Sequence, residues 1–494
     1  MSKNGTNYPE NDKKKSKSCD IIIFELQINV NIFQSRGFIM RTREINMLEG
    51  AILPQMIRFA IPVILTGLFQ QLFNTADVIL AGQLLSSGAD AVAAVGSTTS
   101  LTGLLINFFI GCSTGSAVVL SRTIGSGERD KIKKTVHTAV LLAVVLGVLL
   151  TVTGVTFSET LLTMMSTPKE YIKISTVYMQ AYFCGIIPYM VYNFGAAILR
   201  AVGETKKPLY FLLISGPLKL IFTFIFVKGF KLDVAGLAFA TSFSQLVSAV
   251  LVILALVKRE DDCKLIIKEI KFSKEPLKKI LALGIPSGIQ SATFSLSSVF
   301  VQSSVNSLSY LKGFTAGNAA AGSFEVFANV LTTAFYQCSM NFTGQNAGAG
   351  KYDRVHKTLL VSAGLCTASV VAVSVLTCLF PSQILSLYIK NSPDAIYWGT
   401  VRLMVVFIPL VFQGLMDVFA GVLRGLEKSF STMVISILGA CVFRIIWGLT
   451  IFKIPQYHTP QILFMCYPIS WVLTTLAQVI LYVVVIKNRK NNIT

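Results

Sequence analysis

The chain has 494 residues, of which 53% are apolar and only 14% are charged, and its mean hydropathy is +0.66. A soluble domain normally carries about 25% charged residues, so this composition excludes an ordinary soluble protein and predicts one that spans a membrane. The net charge of +19 keeps nucleic-acid binding open as an alternative until the charges are placed along the chain.

Twelve stretches are long and apolar enough to cross a bilayer, which takes about 20 residues as a helix. None shows the short alternating pattern of a transmembrane barrel. The sequence therefore predicts an all-α membrane protein with twelve transmembrane helices. Spans one to twelve are predicted at 52–84, 91–120, 136–158, 171–199, 208–228, 234–257, 280–310, 318–342, 359–389, 396–423, 430–452 and 461–486.

The basic residues fall mainly in every second connection between these spans. With both termini placed in the cytoplasm, the inner loops and the C-terminal tail carry 24 Lys and Arg residues and the outer loops carry seven. Cytoplasmic loops of membrane proteins carry such an excess, so the distribution predicts a multi-pass plasma-membrane protein with both ends inside. It also argues against nucleic-acid binding, because the positive charge forms no single patch.

The two halves of the chain repeat each other. Residues 125–135 align with 348–358 at an offset of 223, and Ile61-Pro62 aligns with Ile285-Pro286 at an offset of 224. Leu199-Arg200 and Leu423-Arg424 share that second offset. The repeat predicts two six-helix lobes with the same orientation, related by a pseudo-twofold axis along the membrane normal, an arrangement found in secondary transporters.

The predicted organisation has five parts. Residues 1–46 are a polar, lysine-rich extension expected to be disordered and dispensable, and translation from Met40 or Met47 is a second interpretation. An N-lobe (47–257), a cytoplasmic linker (258–279), a C-lobe (280–488) and a tail (489–494) follow.

Four short motifs connect the chain to a known family. They are 73–77 (FNTAD) and 81–82 (AG) in span one, 344–350 (GQNAGAG) after span eight, and 423–425 (LRG) after span ten. With them, residues 47–488 resemble the multidrug and toxic compound extrusion (MATE) transporters. The resemblance implies antiport, coupled to protons or sodium, that exports amphipathic and often cationic organic compounds.

Acidic residues inside spans are costly and are therefore candidates for function. Asp77 lies in span one, and its equivalent in the second half is Val301, so the repeat does not require an acid there. The resemblance implies that Asp77 is the ion-coupling acid of the N-lobe; a capping or pairing acid is the alternative. Pro62, which leaves a carbonyl unpaired, is the predicted hinge of span one.

The C-lobe offers a second acid in span ten. Asp417 corresponds to Asn193 in the first half, so the position is polar in both lobes but ionisable in only one. The resemblance implies ion coupling at Asp417; the alternative is a structural pair with Arg444 of span eleven. Three polar residues are candidates for substrate contact: Glu325 of span eight, Asn193 of span four and Gln70 of span one. Glu325 could equally be a solvated acid at the membrane interface.

Span five departs from the family pattern. Relatives carry neutral or acidic polar residues four apart, whereas this chain has Lys219 and Thr223 on one helix face. A lysine there disfavours a sodium site in the N-lobe. Two schemes remain, proton exchange between Asp77 and Lys219 or coupling moved to Asp417, with the first preferred.

Other site classes find little support. The nine cysteines form no C-x-x-C pair, so neither a metal site nor a disulfide framework is predicted. His137 and His356, next to cytoplasmic lysines, are expected to be solvated. No nucleotide motif, cofactor site or enzyme-like cluster is apparent. The remaining alternative is a flippase of lipid-linked precursors, since Lys219 and Arg444 would suit anionic head groups.

Overall fold

The computed structural model describes residues 44–85, 88–165, 167–389 and 392–491. The predicted disorder of the N-terminal extension falls almost entirely outside these ranges, as do the last three residues of the tail. The side chain of Asp77 is likewise outside the described part, although its backbone lies within a helix.

Twelve helical spans follow one another along the described chain, as predicted. Those of the first half are Ile52–Leu84, Gly88–Ser126, Arg129–Met164, Lys169–Cys184 with Ile186–Val202, Lys206–Phe224 with a π-helical turn at Ile225–Gly229, and Asp233–Val257. Those of the second half are Lys274–Asn306, Phe314–Gly348, Tyr352–Leu379, Pro393–Phe407 with Leu410–Gly425, Ser429–Leu449 (interrupted by a π-helical segment at Ile437–Val442), and Pro460–Asn491. The protein is therefore an all-α, twelve-span membrane protein.

Spans four and ten are both bent at equivalent positions of the repeat. Span four bends by 47° at Gly185, and span ten bends by 45° at Ile408-Pro409. Pro409 removes a backbone donor and so weakens the helix at that point. Span nine is shorter than predicted, ending at Leu379, because Pro381 starts a separate short helix, Pro381–Ser386.

Ten of the twelve spans are apolar enough to be recognised as membrane-crossing by length and composition, counting each bent span as one. The other two are spans seven and eight, which carry many serine, asparagine and glutamine side chains. Both pack closely against other helices, and several of their polar side chains are buried, among them Ser287, Ser297, Asn318, Thr332 and Asn341. Burial within the protein lowers the cost of placing these groups at membrane depth.

Two large hydrophobic clusters organise the bundle. One is built mainly from residues 101–283 and the other mainly from residues 320–485. Each therefore corresponds to one half of the repeat, which gives the two lobes separate cores.

The lobes meet through spans two and seven and through spans two and eight. Gly111 and Gly115 of span two lie directly against Gly288 and Gly284 of span seven, where a Cβ on either span-two glycine would collide with backbone. Small residues allow such close approach of helices in membranes. Gly125 lies against the backbone of Gln345 in span eight. This contact is near the span ends that the sequence predicts to be cytoplasmic, which are called the cytoplasmic ends below.

The cytoplasmic linker is attached to the N-lobe by buried polar groups. His137, expected to be solvated, is only 3% exposed. Its Nε2 accepts a hydrogen bond from the Ile266 N–H at 3.0 Å, and its Nδ1 lies 2.7 Å from the Lys133 carbonyl oxygen. Arg259, with a side chain 4% exposed, contacts the equally buried carboxylate of Glu204 at 3.0 Å. The prediction that His137 is solvated is therefore wrong: its side chain is buried and hydrogen-bonded.

The residues before span one bind both lobes at the cytoplasmic face. On the N-lobe side, the Ile45 N–H donates to the Gly203 carbonyl. On the C-lobe side, Arg354 donates to the carbonyl oxygens of Met47, Glu49 and Gly50. Residues 44–50 are thus an ordered strap across the two lobes. At residues 44–46 this order contrasts with the disorder predicted for the segment 1–46.

Candidate transport site

The N-lobe candidates stand on two neighbouring helices. Phe73 of span one packs on Gly216 of span five, where a Cβ would overlap its ring. Both helices run in the same direction, so Asp77 and Lys219 each follow this contact by about one helical turn. Lys219 is half-buried, and Thr223, one turn further, is 1% exposed and donates to the Lys219 carbonyl at 2.9 Å. The fold therefore brings the backbones of positions 77 and 219 to one level of the N-lobe.

The remaining N-lobe candidates have plainer surroundings. Span one continues as one helix through Pro62, whose carbonyl accepts the Thr66 hydroxyl at 2.7 Å. The two bends described above lie in spans four and ten, and the hinge role of Pro62 stays a prediction. Gln70 is exposed, and the Asn193 amide donates to the Tyr189 carbonyl of its own helix at 2.8 Å.

Polar side chains of spans eight and ten meet at four successive levels of the C-lobe. At the first, Arg402 contacts Glu325 at 2.7 Å, with each side chain only 12% exposed. At the second, the Gln413 amide donates to the Asn329 side-chain oxygen at 2.7 Å. The other two levels pair Asp417 with Thr332 and Arg424 with Tyr336. We call these four pairs the C-lobe polar ladder.

The cytoplasmic end of the ladder is tied to span seven. Arg424, 6% exposed, also donates to the Gln290 side-chain oxygen at 2.8 Å, and its guanidinium lies 5.2 Å from the Tyr336 ring centre. The ladder therefore connects three helices of the C-lobe, with a carboxylate at its first and third levels.

Arg444 does not pair with Asp417 as the sequence suggested. Its Nε donates to the Ser470 hydroxyl at 3.0 Å, and its guanidinium lies 4.5 Å from the ring centre of Tyr467. Both of these partners lie on span twelve. Among the described residues, no carboxylate lies within ion-pair distance of Arg444.

Sequence reasoning considered the intramembrane charges one by one and so missed most of the ladder. Glu325, Asn329, Thr332 and Tyr336 recur every three or four residues in span eight, which places them on one helix face. This spacing is the feature of the sequence from which the span-eight side of the ladder could have been predicted. The structure adds that the Glu325 carboxylate contacts Arg402, and its contact with a cationic substrate stays a prediction.

The lobes are closed against each other on the cytoplasmic side. The Gln345 amide of span eight donates to the Ala201 carbonyl at 2.7 Å, and the Ser121 hydroxyl donates to Asn341 at 2.9 Å. At the rim, Arg122 contacts Glu427 at 3.3 Å. Together with the strap at 44–50, these contacts join N-lobe and C-lobe elements at their cytoplasmic ends.

Comparison with known sequences decides the family. The MatE family profile matches residues 62–225 and matches again at 286–450, once in each half of the repeat. The chain belongs to the MatE family. As a MATE transporter it is a multi-pass membrane protein for multidrug efflux, acting on small molecules.

Curated relatives of this MATE transporter extend over most of its length. A probable multidrug resistance protein of Bacillus subtilis, YoeA, is 28% identical over 416 residues, covering 82% of this chain and 87% of the relative. A protein of Shewanella oneidensis described as an FAD transporter is 23% identical, covering 74% of this chain and 80% of its own.

Solved structures share the fold. One, described as the outward-facing conformation of a multidrug resistance MATE family transporter, has a TM-score of 0.83 at 20% identity and covers 92% of this chain and 100% of its own. Its similarity agrees with the twelve-span, two-lobe architecture described above.

Proposed function

We propose that this MATE transporter is an antiporter in the plasma membrane, with both termini cytoplasmic, that couples export of amphipathic, often cationic organic compounds to entry of protons or sodium. The observation that supports coupling most directly is Asp417. It is a half-buried acid within a span, and Thr332 of span eight is its neighbour. An intramembrane acid that can gain and lose a cation gives the two states that ion coupling needs.

The contacts between the lobes support alternating access as the transport mechanism. In the described conformation the cytoplasmic ends are joined, so export requires these contacts to break and re-form in each cycle. A ligand drives such a change only through different affinities for the two states. Cation binding at Asp417, or at Asp77 near Lys219, would supply that difference.

The experiment is transport in proteoliposomes with ethidium as the probe and with proton and sodium gradients imposed separately. Wild-type protein should move ethidium against its gradient under one of the two ions. If neither gradient drives ethidium, the antiport mechanism is wrong. Asp77→Asn and Asp417→Asn variants then separate the schemes, because full proton-driven efflux by Asp77→Asn would exclude exchange between Asp77 and Lys219.

A second candidate is a flippase for lipid-linked precursors. It is favoured by Arg444, a cation that is 7% exposed and contacts Ser470 and Tyr467. An anionic head group would complement this charge. Expression in an efflux-deficient host separates the two functions: raised tolerance to cationic dyes supports the exporter, whereas unchanged tolerance together with a cell-wall defect on deletion supports the flippase.

A further inference from the structure

The C-lobe polar ladder extends over about half of the membrane thickness. From Glu325 to Tyr336 span eight advances by eleven residues, or about 17 Å at the helical rise. A hydrocarbon core is about 30 Å thick. Polar and charged groups are costly at this depth, so four consecutive polar levels call for an explanation beyond helix packing.

The repeat shows that the fold does not need the ladder. At the offset of 223 that aligns the ends of spans two and eight, the first three span-eight positions correspond to Thr102, Ile106 and Phe109. At the offset of 224, Asp417 corresponds to Asn193. The N-lobe thus builds the same helix pair without a carboxylate, and the acids of the ladder are specific to the C-lobe.

The two carboxylates have different surroundings. Glu325 faces Arg402 of span ten, with Tyr467 of span twelve and Cys466 beyond it and Arg444 of span eleven against Tyr467. Asp417 faces the Thr332 hydroxyl, Cys366 of span nine and, further along its own helix, Arg424. Glu325 therefore has an adjacent counter-charge, whereas Asp417 has a neutral hydroxyl as its nearest partner.

The Asn329–Gln413 pair separates the two acids. Its 2.7 Å hydrogen bond lies between the first and third levels. The 45° bend of span ten lies between Arg402 and Gln413, so a change in that bend would move these two levels relative to each other.

We propose that the ladder is the proton path of the C-lobe, with Glu325 as the outer acceptor, Arg402 as its counter-charge and Asp417 as the inner acceptor. A proton from the outer water binds the Glu325 carboxylate and dissolves its ion pair with Arg402. Water admitted when the Asn329–Gln413 pair opens carries the proton to the Asp417 carboxylate, and Glu325 returns to its ionised pair. This proposal rests on the proposed antiport and adds to it a second acid and a direction of entry.

The test compares Glu325→Gln with Ser323→Ala, a control on the same helix whose hydroxyl bonds only its own backbone. Two activities are measured in proteoliposomes: proton-driven ethidium transport, and ethidium counterflow without any ion gradient. Glu325→Gln should lower the proton-driven rate by about a hundredfold or more, the usual scale for loss of an acid–base group. Counterflow should stay near wild type because substrate exchange needs no proton transfer.

Three results would overturn the proposal. Normal proton-driven transport by Glu325→Gln would exclude Glu325 from the path. An equal loss of driven transport and counterflow would show a structural role. Wild-type protein that exports ethidium only with sodium would retain antiport but exclude a proton path, whereas failure with both ions would remove the proposed function itself.

Discussion

Closure of the cytoplasmic side should depend on the absence of a side chain at Gly125. In Gly125→Ala the new Cβ would overlap the Gln345 carbonyl oxygen and lie 2.7 Å from its carbonyl carbon. Ordinary carbon contacts are about 3.5–4.0 Å, so spans two and eight would have to separate by about 1 Å. Both helices contribute backbone here, which leaves no flexible side chain to absorb the shift.

The separation should weaken the two buried hydrogen bonds beside the glycine, from Gln345 to Ala201 and from Ser121 to Asn341. At about 0.5–1.5 kcal/mol each, their loss raises the free energy of the closed state by about 1–3 kcal/mol. The population that is open to the cytoplasm should therefore rise by about 5- to 150-fold relative to the closed one.

The population can be measured as a distance distribution between spin labels at Lys134→Cys and Lys357→Cys, exposed and equivalent in the repeat, with the other accessible cysteines removed. Gly103→Ala is the matched control, since nothing lies within 4 Å of its added Cβ. Longer label distances in Gly125→Ala alone would support the reasoning. An unchanged distribution, or the same shift in Gly103→Ala, would refute it.

Two further predictions concern stability. Arg259→Ala should lower the free energy of unfolding by about 1.5–3 kcal/mol, the range for a hydrogen bond to a charged group, because the buried Glu204 carboxylate then keeps only Lys207 as a charged partner. Lys133→Ala breaks an exposed pair with Glu269 and should cost less than about 1 kcal/mol. Equal thermal shifts of the two variants in detergent would contradict this contrast. Gly216→Ala should destabilise the N-lobe, because the added Cβ displaces the Phe73 ring. Adding Phe73→Ala to this variant should partly restore its thermal stability. A loss of stability in the double variant equal to the sum of the two single losses would show that the two residues do not share one contact.

Much of the fold could be predicted from the sequence because hydrophobic length and loop charge are local properties. The twelve spans and the repeat depend on them, and the structure confirms the spans. The predicted end of span nine was wrong, because the apolar run continues through Pro381 although the helix ends at Leu379. The predicted solvation of His137 was wrong, because the charged residues beside it in the sequence do not indicate that the linker covers it.

The candidate site was less accessible because its partners come from distant parts of the chain. Arg402 lies 77 residues from Glu325, and their contact depends on how span ten bends. The sequence offered Arg444 as an alternative, structural partner of Asp417, whereas the structure gives Arg444 contacts with Ser470 and Tyr467 of span twelve. Residue type indicated where charge was costly, but only packing shows which charges are adjacent. The roles of Asp77, Lys219 and Asp417 stay predictions.

Spans seven and eight, too polar to be recognised as membrane-crossing by composition, have a consequence for biogenesis. When a helix enters the bilayer alone, each of its polar side chains raises the free energy of insertion, because the neighbouring helices are not yet present. Span seven packs on span two, and span eight packs on spans one, two and ten. These two helices should therefore enter the lipid as a hairpin against an N-lobe that is already in place, and synthesis of the first half becomes a condition for correct insertion of the second.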